Sequence, residues 1–380
     1  MRPAKVVAPL LLALAASAPV FASDPACWVY FGTQETGPKR GIYRSSLDEA
    51  TGELSPAVRV TEKSDSVFMA FSPDHKFLYG LSEVPGPGRQ PREAIETYSA
   101  DPATGALANV GEQVSQGSEA CHISVDPSGR CVLTANYDGH YVEVFPIRPD
   151  HTVGPRTCDV YHSGSGPNLA RQESAHPHSI NVDPSDRFAI VADLGMDTLT
   201  VYRLDPARAK LLPHPSVTRI DPGSGPRHLA FHPDGRHAFV INEIVGTITA
   251  MNWDGEKGTL TPYQTISILR SDFKGENRAA EVVVSKDGRY VYGSNRGDDS
   301  LVVLAFDVAT GRLSFVQRMH DGVKVPRNYS IDPSGNWLVC ANLEGGTATI
   351  YRIDRNSGKL RLTGSIGVPQ ALCVRFLQAR

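Results

Sequence analysis

Six times along this chain a short turn of the form Pro/Lys-Asp/Ser-Gly-Arg, sometimes degenerate, separates two β-rich runs. It reads Ser72-Pro73-Asp74-His75-Lys76, Asp126-Pro127-Ser128-Gly129-Arg130 and Asp183-Pro184-Ser185-Asp186-Arg187. It returns as His232-Pro233-Asp234-Gly235-Arg236, Ser285-Lys286-Asp287-Gly288-Arg289 and Asp332-Pro333-Ser334-Gly335-Asn336. Counted from the second residue of each, successive turns stand 54, 57, 49, 53 and 47 residues apart. A period of about 50 residues with this composition suits four-stranded propeller blades better than helical solenoids.

Each repeat parses into four strands. In the fourth, Arg227–Phe231 and Ala238–Asn242 flank the turn, followed by Gly246–Trp253 and Thr259–Thr265. The fifth gives Glu281–Ser285, Tyr290–Ser294, Ser300–Asp307 and Arg312–Arg318. No segment sustains a helical period, so the fold class is all-β. At the ends, Trp28–Thr33, Gly41–Ser46 and Glu53–Val60 resemble second, third and fourth strands without a first. Ala371–Phe376 resembles the missing first strand. Six whole repeats and one split repeat predict a single seven-bladed β-propeller over residues 23–380, closed by both termini. Such a ring leaves only short, protected strand edges.

The pairing of the two ends has a corollary. Cys27 precedes the first N-terminal strand and Cys373 lies in the C-terminal one, so the closing blade brings them near each other. Either they form a disulfide that locks the ring, or they are two buried thiols acting as small hydrophobes.

Before the repeats, residues 1–22 read as a cleaved export signal: a basic start at Arg2 and Lys5, an uncharged apolar run from Val6 to Ala16, and Val20-Phe21-Ala22 before Ser23. The run is shorter than the roughly 20 residues that span a bilayer. A periplasmic or secreted protein, free of the membrane after cleavage, is expected. With 38 basic against 41 acidic residues and no basic run, nucleic acid is not an expected partner. Six cysteines without a Cys-x-x-Cys pair argue against a disulfide scaffold or a cysteine-held zinc.

The repeat also locates the chemistry. The turn joining first and second strands lies at one end of every blade, so the start of strand one and the end of strand two meet at the other. Strand one is innermost, which places these positions around the mouth of the central channel. The strand starts read Ala120-Cys121-His122, His176-Pro177-His178, Pro226-Arg227-His228, Ala280-Glu281 and Pro326-Arg327-Asn328. The strand ends read Asn136-Tyr137, Asp193, Asn242-Glu243, Asn295-Arg296 and Asn342. Arginines and histidines set around one channel repel each other unless an anion joins them. The expected ligand is a small anionic or oxygen-rich molecule, gripped by Arg227, Arg296 and Arg327. His178 titrates near neutrality and suits a general acid or base, a role Glu243 could share. There is no Gly-x-Ser-x-Gly elbow, so activated water is the simpler nucleophile. Glu243, Glu281 and Asp193 carry oxygens for calcium, but the adjacent arginines would repel it, so no metal or cofactor is expected.

These segments resemble the lactonase family of seven-bladed propellers, which includes sugar-lactone hydrolases of the 6-phosphogluconolactonase kind and lactonising enzymes acting on carboxymuconate. The resemblance covers essentially the whole mature chain. It is most specific at His176-Pro177-His178-Ser179, Gly225-Pro226-Arg227-His228-Leu229 with Asn242-Glu243, Ser294-Asn295-Arg296-Gly297, and Pro326-Arg327-Asn328. It implies a reacting centre of His178, Arg227, Glu243 and Arg296. His122, His176, His228, Glu281, Asn295, Arg327 and Asn328 are the expected substrate-binding residues. An exported protein would not meet a cytoplasmic phosphorylated sugar, so an unphosphorylated aldonolactone or a carboxylated lactone is expected. The alternatives are a lactonising cycloisomerase on the same residues, or a non-catalytic binding propeller.

Overall fold

The computed structural model describes residues 27–34, 37–62, 66–85, 91–115 and 119–379. The segment read as an export signal lies outside the described residues. Among the described residues, seven four-stranded antiparallel sheets account for the fold, with one short 3-10 turn at Gly37–Lys39. No helix among them is long and apolar enough to cross a membrane.

The fourth blade shows why these residues form these strands. Pro226–Phe231, His237–Asn242, Thr247–Asp254 and Thr259–Ser267 lie side by side in sequence order. The second strand is buried from Ala238 to Asn242, because both faces of a blade are covered by neighbouring blades. The outermost strand mixes exposed and buried positions, because its faces reach the rim. A central strand buried on both faces needs a continuous apolar run, and Ala238-Phe239-Val240-Ile241 supplies one.

Among the described residues there is no single core. Apolar layers lie between blades, as where Ile190 and Val201 of the third meet Leu229, Val240 and Met251 of the fourth. Aromatic side chains on second strands also reach across to the turn between third and fourth strands of the next blade. Tyr79 donates its hydroxyl to the His151 carbonyl at 3.1 Å, and Tyr292 to that of Gly358 at 3.1 Å. Trp337 donates to Glu49 O at 2.8 Å, Trp28 to Pro102 O at 2.9 Å and Tyr30 to Gly105 O at 2.8 Å.

The ring closes as the split repeat requires. Ala371–Gln378 is the inner strand of a blade completed by Cys27–Thr33, Tyr43–Leu47 and Val58–Arg59. The register sets Trp28 opposite Leu377 and Thr33 opposite Ala371. It also decides the cysteines. Cys27 faces Gln378, whereas Cys373 faces Gly32, five residues further along the strand. At about 3.3 Å per residue that is roughly 16 Å, far beyond the ~7 Å limit for a disulfide. Both are buried free thiols, so hydrogen bonds and packing close the ring without a cross-link.

Candidate active site

At the channel mouth, five inner strands carry an irregularity at the same place. Each begins with a pair to the last residue of its second strand, then accommodates one extra residue. Ala120 pairs with Asn136, Pro177 with Asp193, Pro226 with Asn242, Ala279 with Asn295 and Pro326 with Asn342; the register shifts just after each. Such a bulge releases a residue from the ladder and re-aims its side chain. The released residues include Cys121, His178, Arg227 and Arg327, and in the fifth blade Ala280 and Glu281. The chain enters three of these strands through left-handed residues, Glu119 (φ 56°), Gly225 (φ 65°) and Val325 (φ 49°). At 225 a Cβ would stand 2.8 Å from the Ile244 side chain, and glycine avoids both that contact and the strain of the left-handed backbone.

The electrostatic centre is Glu243, buried just beyond Asn242. Its Oε2 accepts from Arg227 Nε at 2.9 Å and Arg296 Nη2 at 2.7 Å, and its Oε1 from Arg171 Nη2 at 2.5 Å. Burial alone would raise this carboxyl, but Arg296, Arg227 and Arg171 outweigh it and hold the pKa at about 2. Glu243 is therefore a fixed carboxylate that gathers three guanidinium groups. Arg227, only 2 % exposed, also donates from Nη1 to the Ala280 carbonyl at 2.6 Å and to His228 Nε2 at 3.1 Å.

An arginine can only donate, so that contact fixes a tautomer: His228 Nε2 is the acceptor and Nδ1 carries the proton. Nδ1 donates to Glu281 at 3.1 Å, and Asn328 Nδ2 donates to the same carboxylate. Burial lowers His228 to about 4, with Arg227 adding to the fall against the opposing pull of Glu281. His178 and His122 are also held well below 6.5. Burial is the larger cause in both, followed by Arg227 and His228 at His178 and by His228 and Arg375 at His122. All three rings are neutral at neutral pH. His178 stands with Nδ1 3.6 Å from Cys121 Sγ and Nε2 3.9 Å from Glu243 Oε2.

A cavity of about 560 Å3 opens at this mouth, and Arg227, Arg327, Asn328 and Cys121 form part of its wall. Glu243, His178 and Arg296 are not on this wall; Glu243 is reached through Arg227, and His178 lies behind Cys121, its Nδ1 3.6 Å from that Sγ. Glu119 and Asp138 face the same space. Burial first, then hydrogen bonding and repulsion from Asp138, raise Glu119 to about 7. A larger hollow of about 870 Å3 on the opposite face is lined largely by apolar groups around Phe77, Ile331 and Phe376 and contains none of the expected site residues.

Of the eleven expected residues, His178, Arg227, His228, Glu243, Glu281, Arg296, Arg327 and Asn328 lie in or directly behind this constellation. His122 packs on Phe68 with ring centroids 4.8 Å apart and touches His228. His176 is set aside: it stacks on Tyr137 at 4.2 Å and hydrogen-bonds Glu173 at 3.1 Å and the Tyr137 carbonyl at 3.1 Å. Asn295 has no exposed surface and donates to the Ile268 carbonyl at 2.9 Å. Asn242 and Asn342 at the equivalent position bind the threonines of their own third strands, so this asparagine is a blade fitting. Arg171, Glu119 and Asp138 were not singled out by the repeat. Arg171 sits in the connection between the second and third blades, inside the longest interval between turns, and that extra length is the one sequence signal for it.

Comparison with known proteins agrees with this architecture. The family model described as lactonase, 7-bladed beta-propeller matches residues 28–376. A 6-phosphogluconolactonase of Bacillus subtilis is 32% identical over 349 residues, 92% of this chain and 97% of that protein. The structure of a periplasmic gluconolactonase from Pseudomonas aeruginosa superposes with a TM-score of 0.86 at 30% identity, covering 93% of this chain and 99% of that one. A putative 6-phosphogluconolactonase of Bacteroides fragilis gives 0.84 at 28% identity, over 95% and 100% of the two chains. With the bulged inner strands, the arginine cluster on Glu243 and a family match across all seven blades, the chain belongs to the lactonase family of seven-bladed β-propellers.

Proposed function

We propose that this protein is a lactone hydrolase that opens the lactone of an unphosphorylated sugar acid outside the cytoplasm. The observation that carries the reading is Arg227, a desolvated guanidinium clamped by Glu243 and Ala280 yet forming part of a cavity wall beside Arg327. Fixed donors of this kind strengthen as a carbonyl oxygen becomes an oxyanion. Water attacks the lactone carbonyl carbon, and its electron pair moves onto the oxygen held by Arg227 and Arg327. His178, neutral at physiological pH, takes the water proton. The tetrahedral intermediate collapses with cleavage of the ring C–O bond, and the ring oxygen takes a proton from Glu119 to leave the hydroxy acid. Glu243 holds Arg171, Arg227 and Arg296 in place and transfers no proton.

The cavity wall favours a neutral polyol over a phosphate ester. Glu83, Glu93, Glu119 and Asp138 oppose Arg92, Arg227 and Arg327 there, so a phosphate dianion enters an environment with no surplus of positive charge. The export-like residues 1–22 and the likeness to a periplasmic gluconolactonase support the same substrate class and compartment.

The test is acid release from a panel of aldonolactones, carboxylated lactones and 6-phosphogluconolactone in heavy-oxygen water, corrected for spontaneous ring opening. Hydrolysis places one solvent oxygen in the acid, with aldonolactones turned over fastest. Ring closure without solvent oxygen would assign a lactonising isomerase, and no rate above the uncatalysed one would remove the enzymatic reading.

A further inference from the structure

We propose that His232, Asp234 and His237 form a binding site for a divalent transition ion, with Zn2+ the best match, at the end of the fourth blade opposite the candidate active site. The three side chains bracket the turn between Pro226–Phe231 and His237–Asn242. Their ligand atoms all lie within 4.8 Å of one another.

The sister turns give the baseline. At the position of His232 they carry Ser72, Asp126, Asp183, Ser285 and Asp332, each bonded to the residue two further on. At the position of His237 they carry Phe77, Cys131, Phe188, Tyr290 and Trp337, which are apolar or aromatic. The turn therefore folds without an imidazole at either place. Only the fourth blade departs from the repeat at both positions, and both departures point at Asp234.

The hydrogen bonds orient the rings for coordination. His232 Nε2 donates to the Gly288 carbonyl at 2.9 Å, which leaves Nδ1 unprotonated in the neutral ring. Metal-binding histidines are commonly oriented in this way, with the second nitrogen tied to a carbonyl. That Nδ1 faces Asp234 Oδ1 at 2.9 Å, and its one lone pair, which here accepts the Asp234 backbone N–H at 3.1 Å, would turn from that bond to a bound ion. Two acceptors at that separation repel unless a proton or a metal ion lies between them. His237 Nδ1 meets Asp234 Oδ2 at 2.8 Å. Two imidazole nitrogens and a carboxylate are borderline ligands of the kind that hold zinc at about 2.0–2.2 Å, with a fourth position left for water.

The surroundings fit as well. Both rings pack on Phe306, with centroids at 5.0 and 5.1 Å. Tyr263 lies edge-on to His237 at 6.2 Å, and its hydroxyl is buried with no hydrogen-bond partner. The competing cation, Arg236, is 75% exposed and 4.0 Å from Asp234, free to swing into solvent. An ion here clips the first two strands of the blade together.

The test uses the full-length mature protein after chelation and dialysis, titrated calorimetrically with Zn2+ and followed by thermal unfolding. Wild type is expected to bind one equivalent and to unfold at a higher temperature as zinc is added. The variant His232→Ser/His237→Phe carries residues that sister blades use, and is expected to lose both effects while hydrolysing lactones like wild type. His237→Phe alone is the second variant should the double one fail to fold, with the same loss of zinc binding expected. A featureless wild-type titration, or binding retained by the variants, overturns the site. Neither result depends on lactone hydrolysis, so the two proposals fail separately.

Discussion

Replacing Arg227 by alanine removes the donor on the cavity wall, a counter-charge of Glu243 and the hydrogen bond that sets the His228 tautomer. Loss of an oxyanion donor is expected to lower kcat by about 100-fold or more. Arg227→Lys keeps the charge but cannot form the fork that reaches Glu243, Ala280 and His228 together, so it should recover only part of the loss. Steady-state kinetics on the best lactone decide this, and an unchanged kcat would take Arg227 out of the mechanism. His178 makes a separate prediction in pH. Burial, Arg227 and His228 hold it well below 6.5, so its base form persists as the pH drops through that value. The acid limb of kcat/KM should therefore fall below pH 6.5; a limb at or above it would exclude His178 as the base. Glu119 is expected to titrate near 7, and Asp138→Asn should bring that midpoint down by removing the carboxylate beside it. Carboxyl NMR reads both. At this scale the sequence was informative where a residue departed from the repeat: Glu243 and Arg296 fill a position that other blades give to Tyr137, Leu194 and Leu343, and Arg227 and Arg327 share one that other blades give to Cys121 and His178. It misled where a polar residue recurs. Asn295 has counterparts in Asn136, Asn242 and Asn342, and a residue that recurs in four blades serves the blade.

Blades are tied by a small set of polar latches laid over apolar layers. Tyr292 is fully buried, and its hydroxyl is bonded to the Gly358 carbonyl of the next blade. Tyr292→Phe preserves the ring packing but strands a buried carbonyl, so it should destabilise the protein by about 1–3 kcal/mol. Urea unfolding measures it, and a loss below a few tenths of a kcal/mol would mean the latch carries no load. Of the recurring second-strand aromatics Tyr79, Tyr292 and Trp337, Tyr292 lies in a strand read from the sequence, Tyr290–Ser294, and the other two follow the same turn in their own repeats. Their partners were not visible in the sequence, because each lies in the next blade's outer turn and no local pattern specifies what a neighbouring blade presents. The bulges were equally hidden. The paired strands differ by one residue, a difference that pattern alone absorbs into uncertain strand ends.

For the molecule as a whole, three buried histidines make stability depend on pH. His122, His178 and His228 stay neutral in the folded ring below the pH at which the unfolded chain protonates them near 6.5. The unfolded state binds more protons in that window, so these groups lower stability as pH falls from 6.5 toward about 4, the value for His228. Each contributes a slope of up to ~1.4 kcal/mol per pH unit. Glu119, raised to about 7, works in the opposite direction by taking up its proton first in the folded state. His122→Gln should flatten the fall in unfolding free energy between pH 6.5 and 4.5; an unaltered slope would show that this ring is not buried neutral. Some of the architecture follows from the chain alone. The interval between turns, the apolar runs and the split repeat dictate seven blades and a closure by both ends, because periodicity is a local property repeated along the chain. The identity of the carboxylate that gathers the arginines, the inclusion of Arg171 and the separation of Cys27 from Cys373 came only with tertiary structure. Each depends on register and on contacts between blades, where a shift of one residue redirects a side chain and five residues of strand put two thiols beyond reach.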